Sequence, residues 1–264
     1  MYRPYSSAWG KLMINRLFSR VHVVEPIRDT DRDWAIIGEQ EPYFGVLSHE
    51  RFKREHLDDE TRAEFFRSGE GDIARLIDRM RALFGPFEPQ SALDFGCGVG
   101  RLTAPLAALT GAATGVDISP GMLAEARKHR HPGLRFLDTI PHELFDWVVS
   151  SIVLQHIPPE RGYGIIEQLL DRVAPGGGVT LQIMFGRTAP HEKSVGARLV
   201  IDVQGVWPAT PRKEDRELPL GVIIMYDYDL SQVVGLFYRA GMRALFLEHC
   251  DHGGMTGATI FARK

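Results

Sequence analysis

The feature that most constrains this chain is a short apolar run ending in a glycine loop, LDFGCGVGR at residues 93–101. Residues 91–96 read as a buried strand. Gly96, Gly98 and Gly100 then alternate with Cys97 and Val99, a pattern that frees the backbone to adopt tight turns and to approach a ligand closely. A helix over about 98–109 follows, with Pro105 near its first turn, where a missing N–H is tolerated. Strand, glycine loop and helix in that order begin a βα unit. Such units build open sheets that bind ligands beyond the carboxyl ends of their strands.

The rest of the chain repeats the theme. Residues 112–119, 134–139, 145–153 and 178–185 read as further strands, and 145–153 is apolar enough to be buried on both faces. Ser119 and Pro120 cap and open a helix over 121–129. A helix over 160–174 stops at PGGG, and one over 229–241 runs from Asp229 to Gly241. Two strands, over 242–250 and 256–264, close the chain. This alternation predicts an α/β fold with a doubly wound, mostly parallel sheet whose last strand is antiparallel. Before residue 88 the pattern is helical and charged. Residues 71–87 place Ile73, Leu76, Ile77, Met80, Leu83 and Phe84 on one face and stop at Gly85 and Pro86. The expected division is an N-terminal helical cap over 1–87 and a ligand-binding domain over 88–264. Within the latter, 186–225 reads as irregular, rich in charge and proline, and 186–228 as an insert on the substrate side.

The loop chemistry narrows the ligand. A P-loop needs a lysine that is absent here. A dinucleotide fingerprint, as in an NAD(P)-dependent oxidoreductase, places its third glycine where Arg101 stands, and Asp94 offers a pyrophosphate nothing. S-adenosylmethionine carries no phosphate. Asp94 suits its amino group, the glycine backbone its methionine and ribose portions, and the following helix N-terminus its carboxylate. Asp117, at the end of the second strand, can accept both ribose hydroxyls.

With these residues in place, the chain resembles the class I S-adenosylmethionine-dependent methyltransferases of small-molecule type. LDFGCGVG matches that family's glycine motif, and GVDISPGMLAEAR, RFLDT, FDWVVSSIVLQHIPP and LLDRVAPGGGVTLQI follow in the family's order over about 88–185. The resemblance implies a Rossmann-like sheet of seven strands and S-adenosyl-L-methionine as cofactor. It places Asp94, Gly96, Cys97, Gly98 and Gly100 in the cofactor loop and Asp117 on the ribose. Ile118 and Met122 lie beside the adenine, Asp138 at its amino group, and Ser150 and Ser151 along the methionine part. Gln155 and His156 face the substrate. PYFGVL and FFRSGEG resemble N-terminal segments that cover the cofactor, which puts Tyr43, Ser68 and Gly69 near the ligand.

Other residues keep two readings each. Asp138 has a second, less favoured reading as a strand-end surface acid, and His156 is equally a base or a packed helix-start residue. His249, Asp251 and His252 form a polar hairpin, a base site or, least favoured, metal ligands; no metal is expected. His191, in the insert, is a further candidate base or a surface residue. Tyr226 and Tyr228 border the substrate pocket or pack as aromatics. The segment after the fourth strand reads SSIV, without the Asn/Asp-Pro-Pro-aromatic motif of amine methyltransferases of nucleic acids and without a cysteine nucleophile. A net charge of −3 and the lack of a basic run also argue against nucleic acid. The expected reaction is methyl transfer to an oxygen or nitrogen of a small molecule, such as a metabolite, natural product or sugar-linked intermediate. A non-catalytic protein of the same fold is the alternative. Cys97 sits inside the glycine loop, which disfavours a disulfide and fits a cytoplasmic protein. No apolar run reaches the roughly 20 residues of a membrane span, and no signal-peptide core is visible. Residues 1–24 carry Arg3, Lys11, Arg16 and Arg20 without an acid, with Met13, Ile14, Leu17, Phe18 and Val21 at helical spacing. That helix would pack on its own domain, on a second copy in a homodimer, or on a membrane surface.

Overall fold

The computed structural model describes residues 28–187, 198–202, 205–209 and 219–264. The basic stretch 1–24 and His191 lie outside the described residues. A seven-stranded sheet forms the centre. Its parallel part comprises β1 (Ala92–Phe95), β2 (Ala113–Val116), β3 (Leu134–Leu137), β4 (Phe145–Ser150) and β5 (Val173–Arg187). Two more strands, β9 (Leu245–Asp251) and β10 (Met255–Arg263), complete the order β3-β2-β1-β4-β5-β10-β9. β10 is antiparallel to both neighbours, as expected for the last strand.

Alternation along the strands supplies both faces with apolar side chains. Leu93 and Val148 face one core, shared with α6 (Pro159–Asp171) and α7 (Leu230–Arg239). Ala92, Trp147 and Val149 face the other, shared with α3 (Asp59–Phe84) and α4 (Thr103–Thr110). α3 is longer than the apolar face over 71–87 implied. Its first turns are charged, and it begins where the Asp58 side chain accepts the Thr61 N–H at 2.8 Å. It ends at Gly85, whose φ of 79° halts the helix as expected. α4 starts at Thr103 rather than near Gly98, because Gly96, Gly98 and Gly100 all hold positive φ and cannot be helical. Pro105 falls within its first turn. Ser119 caps α5 (Pro120–Ala126), and Asp229 caps α7.

The stretch 186–225 differs from its irregular reading. β6 (Arg198–Asp202), β7 (Gly205–Ala209) and β8 (Ile223–Met225) form a second, antiparallel sheet in the order β7-β6-β8. Their apolar runs are three to five residues long and lie among charged and proline-rich sequence, which hides the period. The cap comprises α1 (Thr30–Gln40), α2 (Pro42–Val46) and the early turns of α3. A third apolar cluster, including Ile37, Phe44 and Phe65, joins the cap to Val99 of the glycine loop and Met122 of α5.

Candidate active site

The glycine loop turns back on the ends of the neighbouring strands. Gly96 has no room for a side chain, because a Cβ there would lie 2.3 Å from the Val153 methyls. At Gly98 a Cβ would meet Val46 of the cap at 2.5 Å. The loop is closed by Asp117, whose Oδ2 accepts the Gly98 N–H at 2.8 Å and whose Oδ1 accepts the Ser119 N–H at 2.9 Å. A carboxylate offers about four acceptor positions, so two remain for a ligand. Asp94 is buried and accepts the Thr103 hydroxyl at 2.6 Å, which ties β1 to the start of α4.

A cavity of about 380 Å³ opens at this point. Asp94, Gly96, Cys97 and Gly98 form its floor; Asp117, Ile118, Met122 and Asp138 form the wall beyond β2 and β3; Ser151 and His156 form the wall beyond β4. The cavity therefore collects residues from four separate sequence motifs. Ile118 is 49% exposed although apolar, an arrangement that suits a face awaiting a flat ligand. The connection over 138–144 from β3 to β4 carries no helix, and the cavity extends there to Ile140, Ile165 and Gln168.

Other expected residues lie just outside. Gly100 packs against His129 with a φ of 85°. Ser150 is buried, and its hydroxyl finds no partner among the described residues. Tyr43 meets Phe65 and Phe66 edge to face, and its neighbours Gly45 and Val46 line the cavity in its place. Ser68 and Gly69 act one residue removed: Ser68 accepts from Arg101 at 3.2 Å, and Gly69 abuts the Arg101 carbonyl. Gln155 and Tyr226 are joined through their backbones, behind the wall. Tyr228 donates to the Ile157 carbonyl at 2.8 Å and meets Tyr163 edge to face, as a packing aromatic does. His249 is exposed on β9 and does not line the cavity.

The electrostatics are uneven. Four aspartates, Asp31, Asp94, Asp117 and Asp138, line the cavity against two arginines, Arg101 and Arg161. Arg101 is paired with Asp72 at 2.7 Å, and Arg161 grips Asp31 at 2.6 and 2.7 Å. Burial raises Asp94 to about 6, against the opposing effects of Thr103 and Arg101. Burial raises Asp117 as well. His156 is buried, with its edge toward Trp34 and its Nδ1 3.0 Å from the Ile224 carbonyl. Burial lowers its pKa to about 4, so the ring is neutral, Nδ1 donates, and Nε2 keeps its lone pair. Burial pushes the Cys97 thiol well up, so it is a protonated filler, and Gly115 makes room for its sulfur. Sequence reasoning missed Arg161, Trp34 and the Ile152–Val153 wall. Their only signal is position: Arg161 opens the helix after the fourth strand, and Trp34 sits in a cap whose apolar spacing is irregular.

Residues 92–177 match the family model described as a methyltransferase domain. A trans-aconitate 2-methyltransferase of Streptomyces coelicolor is 34% identical over 41% of this chain and 39% of the relative. A ubiquinone biosynthesis O-methyltransferase of Paramagnetospirillum magneticum is 33% identical over 61% of this chain and 64% of the relative. The chain thus spans about 39–64% of these curated relatives. An amino pentose methyltransferase of Micromonospora echinaspora superposes with a TM-score of 0.53 at 20% identity, covering 79% of this chain and 98% of that one. A magnesium protoporphyrin IX methyltransferase of Synechocystis PCC 6803 gives a TM-score of 0.53 at 17% identity over 88% and 97%. Motif order and strand order agree with this likeness: over residues 92–177 the chain is similar to methyltransferase domains.

Proposed function

We propose that the protein transfers a methyl group from S-adenosyl-L-methionine to an oxygen or nitrogen of a small-molecule acceptor. The observation that carries this reading is the acidic cavity, with Asp94 and Asp117 buried in it and both arginines already paired. A ligand bringing an ammonium and a sulfonium neutralises those carboxylates, whereas a pyrophosphate adds like charge. Asp117 would hold the ribose hydroxyls, Ile118 and Met122 the adenine faces, Asp138 its amino group, and Asp94 with Gly96 the amino acid portion. The bound cofactor supplies an activated methyl carbon. The chain's own residues align the acceptor and exclude water. His156 is the candidate base on the cavity wall: its neutral Nε2 is free to accept a hydrogen bond from an acceptor hydroxyl or amine. The exposed His249 is the weaker candidate.

The two named relatives are described as methyltransferases of trans-aconitate and of ubiquinone biosynthesis, and the latter as an O-methyltransferase, which favours oxygen as the accepting atom. The acceptor is a small molecule rather than a nucleic acid. No helix among the described residues is long and apolar enough to cross a membrane. Both cysteines are free, in keeping with the cytoplasm, and a homodimer is the assembly to test by light scattering.

Thermal shift decides the cofactor. S-adenosylhomocysteine at 100 times its Kd should stabilise the fold by about 2.7 kcal/mol, and NAD should not. Stabilisation by NAD alone would replace this reading with an oxidoreductase. Cofactor binding without turnover across oxygen and nitrogen acceptors would favour a non-catalytic protein.

A further inference from the structure

Ile152 is the one non-glycine residue with positive φ among the described residues, at 60°. A β-branched side chain in the left-handed region is strained and persists only where its surroundings impose it. Ile152 follows β4 and lines the cavity between Ser151 and Val153, and Val153 fills the space that Gly96 leaves open. The strained residue therefore stands directly against the glycine loop.

Gln182 on β5 is bonded to this segment. Its Oε1 accepts the Ile152 backbone N–H at 3.1 Å and the Ser151 hydroxyl at 3.1 Å. Its Nε2 lies 2.6 Å from Nε2 of His252 and 3.3 Å from Sγ of Cys250. Both ends of this buried amide are engaged, and its orientation follows from its partners. A neutral His252 accepts from the amide N–H, which leaves the amide oxygen facing Ile152. A flipped amide would set donor against donor at Ile152 and leave a buried N–H unsatisfied. His252 is an exposed residue of the hairpin, and desolvation of its ring lowers its pKa, which favours the accepting form. Neither Gln182 nor His252 lines the cavity.

We infer that Gln182, oriented by His252 of the β9–β10 hairpin, is a positioning residue for methyl transfer that holds Ile152 and Ser151 in the form that shapes the cavity wall. Its bearing on the reaction rests on the methyltransferase reading; the holding itself does not.

Three variants of the full chain test it: Gln182→Leu, which removes the acceptor at similar size, Ile152→Gly, which removes the strain, and their combination. In Gln182→Leu, hydrogen exchange of the ligand-free chain over residues 148–156 should speed up at the Ile152 amide by about tenfold or more. kcat/KM should fall by about tenfold, and in the Ile152→Gly background the same change should cost less than about threefold. Gln182→Glu, which keeps the accepting oxygens, should retain the protection. Unchanged exchange at Ile152, or equal losses in both backgrounds, overturns the inference. If Gln182→Leu does not fold, His252→Ala takes its place, because it frees the amide to turn: faster exchange at Ile152 supports the inference and unchanged exchange overturns it. A wild-type chain that binds no S-adenosylhomocysteine would sink the methyltransferase reading, and the exchange result would still decide the holding role.

Discussion

Asp94 shows how far surroundings alter a side chain. An aspartate in an unfolded chain titrates near 3.9, whereas burial raises this one to about 6. The folded protein therefore keeps the proton over a range in which the unfolded chain has lost it. The associated stability is fully present below about pH 4 and is lost as pH rises through 6, a difference on the order of 2–3 kcal/mol. Asp94→Asn keeps the shape and an acceptor for Thr103. The ligand-free variant should melt higher than the wild type at pH 8 and equally at pH 4, while binding S-adenosylmethionine about tenfold more weakly at pH 8. A melting difference independent of pH would refute the assignment. His156 runs the other way. Its folded pKa of about 4 lies below the unfolded value near 6.5, so stability is present above 6.5 and falls as pH drops toward 4. His156→Gln should lose less melting temperature than the wild type between pH 7 and pH 5, as read by calorimetry.

At the scale of elements, α3 offers two glycines two positions apart with opposite expectations. Alanine in a helix interior normally gains about 1 kcal/mol over glycine. Gly71 faces open space, so Gly71→Ala should show that gain as a higher melting temperature. At Gly69 a Cβ would lie 2.1 Å from the Arg101 carbonyl oxygen, which belongs to backbone and cannot swing aside. Overpacking of this kind costs about 1–3 kcal/mol, so Gly69→Ala should melt lower. Equal shifts for the two variants would contradict the close approach of α3 to the glycine loop. The same helix shows what a sequence reveals and what it hides. Its end was legible because Gly85 and Pro86 are chemical stops. Its start was not, because Phe65 and Phe66 are the only large apolar side chains in a charged first half, too few to read as a stripe. The loop and Asp94 were legible in the glycine motif and Asp117 at the end of the second strand, since each of these needs a particular residue type. Ile152 and Gln182 carry no such signal: an isoleucine with positive φ and a strand glutamine depend on contacts between β4, β5 and the closing hairpin, which only folding brings together.

For the whole molecule, the decisive point is how cap and sheet share the cavity. Asp31 and Arg161 pair across it, but both are over a third exposed, and such a pair contributes only about 0–1 kcal/mol. The apolar cluster is the stronger tie, because Ile37, Phe44 and Phe65 of the cap pack with Val99 of the glycine loop and Met122 of α5. Val46 also reaches into the space left by Gly98. Loop and cap are thus two sides of one packed interface, and Met122 belongs to both this cluster and the cavity wall. A ligand that orders the loop must also order the cap, because the loop cannot shift without disturbing Val46 and the cluster behind it. Hydrogen exchange with saturating S-adenosylhomocysteine should therefore slow over residues 30–47 as well as over 92–118. Protection confined to 92–118 would mean that the cap closes independently of the cofactor, and that the apolar cluster does not couple the two.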